Sequence, residues 1–339
     1  MTRPLRRRGA ALALAVVLGL PTLAQAGGGT PVTVGSQRIE RFQPGSETTR
    51  FGQLDFVGGI QFWGTGLHGL SALRFTRNGH FLAVSDDGLW FAGRIERDGR
   101  GRPTGIFDAR TGPLLDATGE PFDGKTEADA ESLAIDGERV LVGFERDHRI
   151  LAYTDPDSPF DRRPETLPLP VPRAELRRNR GLETLALSPK GSSLGGAAVA
   201  IAERSLDPDG NIFAAIFQGG RRNGVFKVKR DDPWDVSDGT FLPGGDLLLL
   251  ERRYTGLGRL GIRIRRIAGA TVRTGALVDG PVIFEADLGE EIDNMEGLEA
   301  WTAPDGSTRL TMISDDNGSM FQRNLILEFR LVEDRAGPQ

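Results

Sequence analysis

The chain has 339 residues, a formal net charge of −5, 38% hydrophobic and 26% charged residues, which is the make-up of a globular protein with a sizeable core. It contains no cysteine, so disulfides, thiolate metal sites, lipoprotein anchoring and a cysteine nucleophile are all excluded. The acidic balance argues against nucleic acid and anionic membranes as partners and in favour of cations.

Residues 1–26 read as a signal peptide. Arg3, Arg6, Arg7 and Arg8 form a basic start, Ala10 to Leu20 is apolar, and Ala24-Gln25-Ala26 is a small-residue cleavage site. The apolar run is too short to span a bilayer, and no later stretch is long enough. Export to the periplasm or medium is therefore expected, by the general or the twin-arginine route. Residues 27–339 are expected to form a single domain and a monomer.

Four segments then share one design. Gly69-Leu70-Ser71-Ala72-Leu73, Ala130-Glu131-Ser132-Leu133, Leu182-Glu183-Thr184-Leu185 and Met295-Glu296-Gly297-Leu298 each set Glu or Ser at the head of a short alternating strand. Each is followed by a turn and a second apolar strand that ends in charge: Asp86, Glu145, Glu203 and Asp315. A fifth copy lacks the first Glu but keeps Asp238-Gly239, Leu247 to Leu250 and then Glu251-Arg252-Arg253.

The copies recur about every 50 to 60 residues with scarcely any helical periodicity, Arg173 to Arg180 being the one short candidate. That period suits four-stranded blades, so the fold class is all-β, a β-propeller. Dividing the mature length by the period suggests six blades, with five or seven left open, and the segment Val32 to Phe42 is expected to help close the ring.

In a propeller the innermost strands surround one axis, so residues repeated at one strand position converge. Glu131, Glu183, Glu296 and Ser71 are the candidate catalytic set. Asp86, Glu145, Glu203, Glu251 and Asp315 are the candidate metal ligands. Oxygen donors without cysteine and with few histidines favour a hard ion, chiefly Ca²⁺. Arg180, Arg252 and His68 are the candidate substrate-binding residues, with Arg253 a further candidate donor to an anion; His68 also lies three residues before Ser71, close enough in sequence for a pair. A structural reading stands beside this one: Glu145-Arg146, Glu203-Arg204 and Glu251-Arg252 would form an ion-pair belt between blades.

The same residues resemble a known family, the phytase-like domain, also described as esterase-like activity of phytase. The resemblance is carried by His68-Gly69-Leu70-Ser71 with Val84-Ser85-Asp86-Asp87, by Asp129-Ala130-Glu131-Ser132 with Phe144-Glu145-Arg146, and by Asn179-Arg180-Gly181-Leu182-Glu183. It continues through Leu250-Glu251-Arg252, Asn294-Met295-Glu296-Gly297 and Ile313-Ser314-Asp315-Asp316-Asn317. It spans roughly residues 55 to 330 and implies a propeller, an extracytoplasmic location and a hydrolytic activity.

Other chemistries fit less well. Gly-x-Ser-x-Gly is absent, and His68 and Ser71, three apart on a strand, point to opposite faces. No His-x-x-x-His spacing suggests zinc. Asp207-Pro208-Asp209-Gly210-Asn211 lacks the distal Glu of a calcium loop and reads as a hairpin turn. Calcium-assisted hydrolysis of a small phosphate or carboxylic ester is the leading expectation. A non-catalytic binding propeller, with Trp63, Trp90 and Trp301 as stacking surfaces, and a lactonase-like activity are the alternatives.

Overall fold

The computed structural model describes residues 28–333 except 179, 220, 257 and 258, so the signal-peptide segment and Asn179 lie outside the described residues. Five antiparallel sheets stand around one axis. From the axis outward the first runs Leu70–Phe75, Phe81–Ser85, Leu89–Arg97, Pro103–Pro113, with Thr30–Pro31 added at its rim. The second is Ala130–Asp136, Arg139–Phe144, Arg149–Thr154 and Glu165–Leu167. The third is Leu182–Leu187, Ala198–Leu206, Ile212–Gln218 and Arg221–Val228, joined in parallel by Leu277–Val278. The fourth is Asp235–Phe241, Leu247–Tyr254, Leu260–Ile267 and Val282–Asp287.

The fifth blade is made from both ends of the chain. Asn294–Thr302, Thr308–Asp315 and Asn324–Leu331 are followed outward by Leu54–Trp63 and then Gly35–Ile39. Leu54–Trp63 pairs antiparallel with Asn324–Leu331 and so fastens the ring. This explains why five blades stand where period arithmetic favours six: the N-terminal strands complete the last blade instead of forming another. Phe42, in the segment expected to help closure, is fully buried among Phe51, Phe56, Phe284 and Phe329.

Strand sequences such as Ala198-Val199-Ala200-Ile201 and Leu247-Leu248-Leu249-Leu250 are apolar on both faces because each blade is covered on both sides by its neighbours. Trp90 packs edge-on against Tyr153 across the first two blades, with ring centroids 5.1 Å apart. Among the described residues helix is confined to Lys125–Ala128 and the 3₁₀ turns Arg173–Glu175 and Gly269–Thr271. Asp207 accepts from the amides of Asp209 and Asn211, at 3.0 and 2.8 Å, closing a hairpin turn as expected. No helix among the described residues is long and apolar enough to cross a membrane.

Candidate active site at the carboxylate-lined mouth

Every innermost strand carries a β-bulge at the same place. In the first blade Leu70 pairs with Ser85 and Ala72 with Val84, leaving Ser71 as the extra residue. The same slip leaves out Glu131, Glu183, Ser237 and Glu296 in the other four. A bulge breaks strict alternation and re-aims one side chain. Five repeats of it turn these five side chains toward one cavity of about 750 Å³ at one end of the axis. Glu131, Glu183, Glu296 and Ser71 thus meet as expected. Ser237 was not expected, although Val236-Ser237-Asp238 aligns with Leu70-Ser71-Ala72 once the bulge is known.

The residue one step beyond each second-strand partner forms an outer tier. The amide of Asp86 donates to the carbonyl of Gly69, that of Glu145 to Asp129 and that of Glu203 to Gly181, each at 2.8–2.9 Å. In the fourth and fifth blades the equivalent pairs are Arg252 with Asp235 and Asp315 with Asn294. Asp86, Glu145, Glu203 and Asp315 accordingly line the cavity, and so does Arg252.

Glu251 does not. Its position in the repeat is one residue early, and its buried carboxylate accepts from Arg263 Nε at 2.7 Å and Arg265 Nε at 2.9 Å within its own blade. That corrects its expected place among the metal ligands: alternation carries Glu251 to the face opposite Arg252.

Close packing at the rim depends on two glycines. Gly69 sits at φ +68°, and a Cβ there would lie 2.1 Å from Asp86 Oδ1. A Cβ on Gly181 would lie 2.7 Å from the His148 ring and 3.0 Å from Glu145 Cγ. The backbone amides so exposed are used: Gly69 donates to Asp315 Oδ1 at 2.6 Å and Gly181 to Glu145 Oε1 at 3.0 Å.

Eight carboxylates line the cavity: Asp86, Glu131, Glu145, Glu183, Glu203, Asp293, Glu296 and Asp315. Among the described residues Arg252 is the one cation in that lining. It donates through Nη1 to Asn294 and Glu296. Its Nε and Nη2 donate to no described protein acceptor. Burial, followed by the charges of their neighbours, pushes the Glu131 and Glu183 carboxyls well above the usual range. Burial also lifts Glu203 to about 7, against the opposing pull of Arg252, and Glu296 to about 7 against the same arginine.

Two groups of three carboxylates bring oxygen atoms within 4.8 Å of one another: Asp86, Asp129, Glu131, and Glu145, Glu183, Glu203. They differ in compensation. Lys125 pairs with Asp86, and Arg146 Nε lies 2.8 Å from Asp129 Oδ2. The second group has the Gly181 amide and the more distant charges of Arg252 and Arg180. Neither Glu131 nor Glu203 accepts a hydrogen bond from a described protein group. Oxygen-only donors with this excess of negative charge suit a hard cation.

The remaining candidates are placed elsewhere. His68 is half exposed and its Nδ1 lies 2.9 Å from Asp87 Oδ2, outside the cavity lining. Arg180 is near Glu203 but does not line the cavity, and Arg253 points outward to Glu285 at 3.6 Å. No histidine lines the cavity among the described residues, and the Ser71 hydroxyl donates to the Gly69 carbonyl at 3.2 Å. A Ser–His couple is therefore not assembled. The expected belt pairs are also rearranged: Arg146 reaches Asp129 and Arg204 reaches Asp235, not the adjacent glutamates. Trp90 is core and Trp301 lies under Arg97, while Tyr254 and Phe321 are the aromatic side chains at the mouth.

Residues 65–318 match the phytase-like family, described as "Esterase-like activity of phytase". No curated protein matches the chain. Among solved structures the fold is similar to an endo-arabinase from Bacteroides thetaiotaomicron, at 10% identity and a TM-score of 0.46 over 80% of this chain and 96% of that one. It is similar to the glutaminyl cyclase of Myxococcus xanthus, at 13% identity and 0.44 over 90% and 100%. A calcium structure of a Trichoderma reesei Carbohydrate-Active Enzymes Family AA12 protein gives 11% identity and 0.42 over 90% and 98%.

Proposed function

The chain belongs to the phytase-like family, and from that premise we propose that it hydrolyses phosphate or carboxylic esters at the carboxylate-lined mouth with calcium as its metal. The observation that carries this reading is the fivefold bulge, which sends three glutamates and two serines into one acidic cavity.

Glu145, Glu183 and Glu203 are the residues that would hold the ion, and Asp86, Asp129 and Glu131 offer a second position already opposed by Lys125 and Arg146. Bound there, calcium supplies positive charge that offsets ester oxygens and makes a nearby water more acidic. Arg252 receives the anionic part of the ester, since Nε and Nη2 have no acceptor among the described residues while Nη1 is fixed by Asn294 and Glu296. Glu296, held near 7, is matched to taking a proton from water at neutral pH. Asn294 Nδ2 donates to Glu296 at 2.6 Å and keeps that carboxylate oriented.

The test is an ester panel with calcium-loaded protein and with the chelated form. Turnover that requires calcium and falls 10²- to 10⁴-fold in Glu296→Gln supports the reading. No release of phosphate or alcohol from any ester overturns it and leaves a binding propeller. We also propose that residues 1–26 are removed on export; a periplasmic or secreted protein that still begins at Met1 contradicts this.

A further inference from the structure

The mouth has two unlike sides. The two acidic groups of three come from the first three blades; the fourth and fifth add Asp293, Glu296 and Asp315, and they alone bring the large apolar side chains Tyr254, Leu260, Leu288 and Phe321 to the lining. Tyr254 and Leu260 face each other at the end of a strand pair, Leu288 follows Val282–Asp287, and Phe321 stands on the loop between Thr308–Asp315 and Asn324–Leu331. Tyr254 is 66% exposed, Leu288 51% and Phe321 91%. Large apolar side chains are normally scattered singly over a surface. Of the eight exposed ones among the described residues, three line this mouth, and Met320 is the chain neighbour of one of them. Arg252 lies on the seam, bonded to Glu296 and close in charge to Glu203.

We propose that the ligand is an anionic ester with one apolar limb, aryl or alkyl, the anionic group meeting Arg252 and the limb lying on Tyr254, Leu288 and Phe321. The proposal rests on the reading of this cavity as an ester site and specifies which esters fit. A compound bearing phosphate on every side would leave the apolar wall wet and bring extra negative charge against eight carboxylates. An ester with one charged and one apolar end covers both sides at once. Burying a phenyl ring against such a wall removes enough apolar surface to change affinity by an order of magnitude or more.

The experiment is calorimetric titration of the purified protein, with calcium present, by phenylphosphonate and by methylphosphonate, which share a head group and differ in the limb. Phenylphosphonate is expected to bind at least about tenfold more tightly. In Tyr254→Ser/Phe321→Ser the ratio should fall to within about threefold with methylphosphonate affinity unchanged. Equal affinities, no binding of either, or a preference that survives the double variant each overturn the proposal. So does loss of self-association or of vesicle binding in that variant without a phosphonate preference, because the patch would then be covered by a partner surface. The readout is binding, so it separates the two ideas. A limb preference without ester turnover sinks the proposed hydrolysis alone, and turnover without the preference sinks this inference alone.

Discussion

Along the inner strands, Arg74 lies in the first blade on the Phe75 side of Ser71, where it is 4% exposed. Its Nη1 and Nη2 donate to both oxygens of Asp238 at 2.9 Å and to the carbonyls of Leu73, Leu185, Gly239 and Leu298, tying four blades together. Burial works against that charge, but Asp238 outweighs it and holds the Arg74 pKa above its ordinary value. At the mouth, Glu131, Glu183 and Glu296 are also drawn together by the inner strands, yet there eight carboxylates face the single arginine of the described lining, Arg252. Both clusters use the convergence of inner strands. The first is neutralised within the protein and serves the fold. The second carries an excess that the protein leaves for something else to balance.

The largest expected effect breaks the first cluster. Arg74→Met strands Asp238 in the interior and also removes the guanidinium 3.6 Å from the half-buried Glu299, and loss of one partner of a buried pair costs about 3–5 kcal/mol. Urea unfolding measures it, and a loss below about 1 kcal/mol would remove the distinction drawn between the clusters. Glu183→Gln at the mouth is expected to leave the chelated protein as stable as the parent or more so, since it removes a like charge.

Next in size is the calcium effect. At 100 times its Kd, calcium should add about 2.7 kcal/mol, and Glu183→Gln should lose most of that gain. A thermal melt that does not move with calcium in the parent protein rules out the ion.

The pH response is smaller and has a definite sign. Glu203 and Glu296 are raised from 4.5 to about 7, so the folded protein holds their protons where the unfolded chain has released them. Their contribution is fully present below pH 4.5 and is lost as pH rises to about 7. The chelated protein should therefore melt a few degrees lower at pH 8 than at pH 5, with calcium restoring the difference. A melting temperature that rises over this interval in EDTA contradicts the assignment.

The smallest effect sharpens the contrast between glutamate and serine bulges. Ser71 and Ser237 donate to the carbonyls of Gly69 and Met295, at 3.2 and 3.1 Å. Ser71→Ala and Ser237→Ala should each cost about 1 kcal/mol while leaving the calcium shift and ester turnover within a few-fold. Abolished turnover in Ser71→Ala would make that hydroxyl the nucleophile.

The sequence by itself determined the class of fold and most of the acidic set. Apolar strands at a steady period define blades, and a residue type repeated at one strand position must gather at the axis, so Glu131, Glu183 and Glu296 were legible without coordinates. Only the tertiary structure decided the number of blades, because the pairing of Leu54–Trp63 with Asn324–Leu331 joins segments at opposite ends of the chain and leaves no local pattern. It also decided which neighbour faces the mouth. A bulge adds one residue to one strand, and a shift of one residue exchanges the two faces. Arg252 therefore entered the cavity, Glu251 went to Arg263 and Arg265, and Ser237 took the place for which the sequence offered no glutamate.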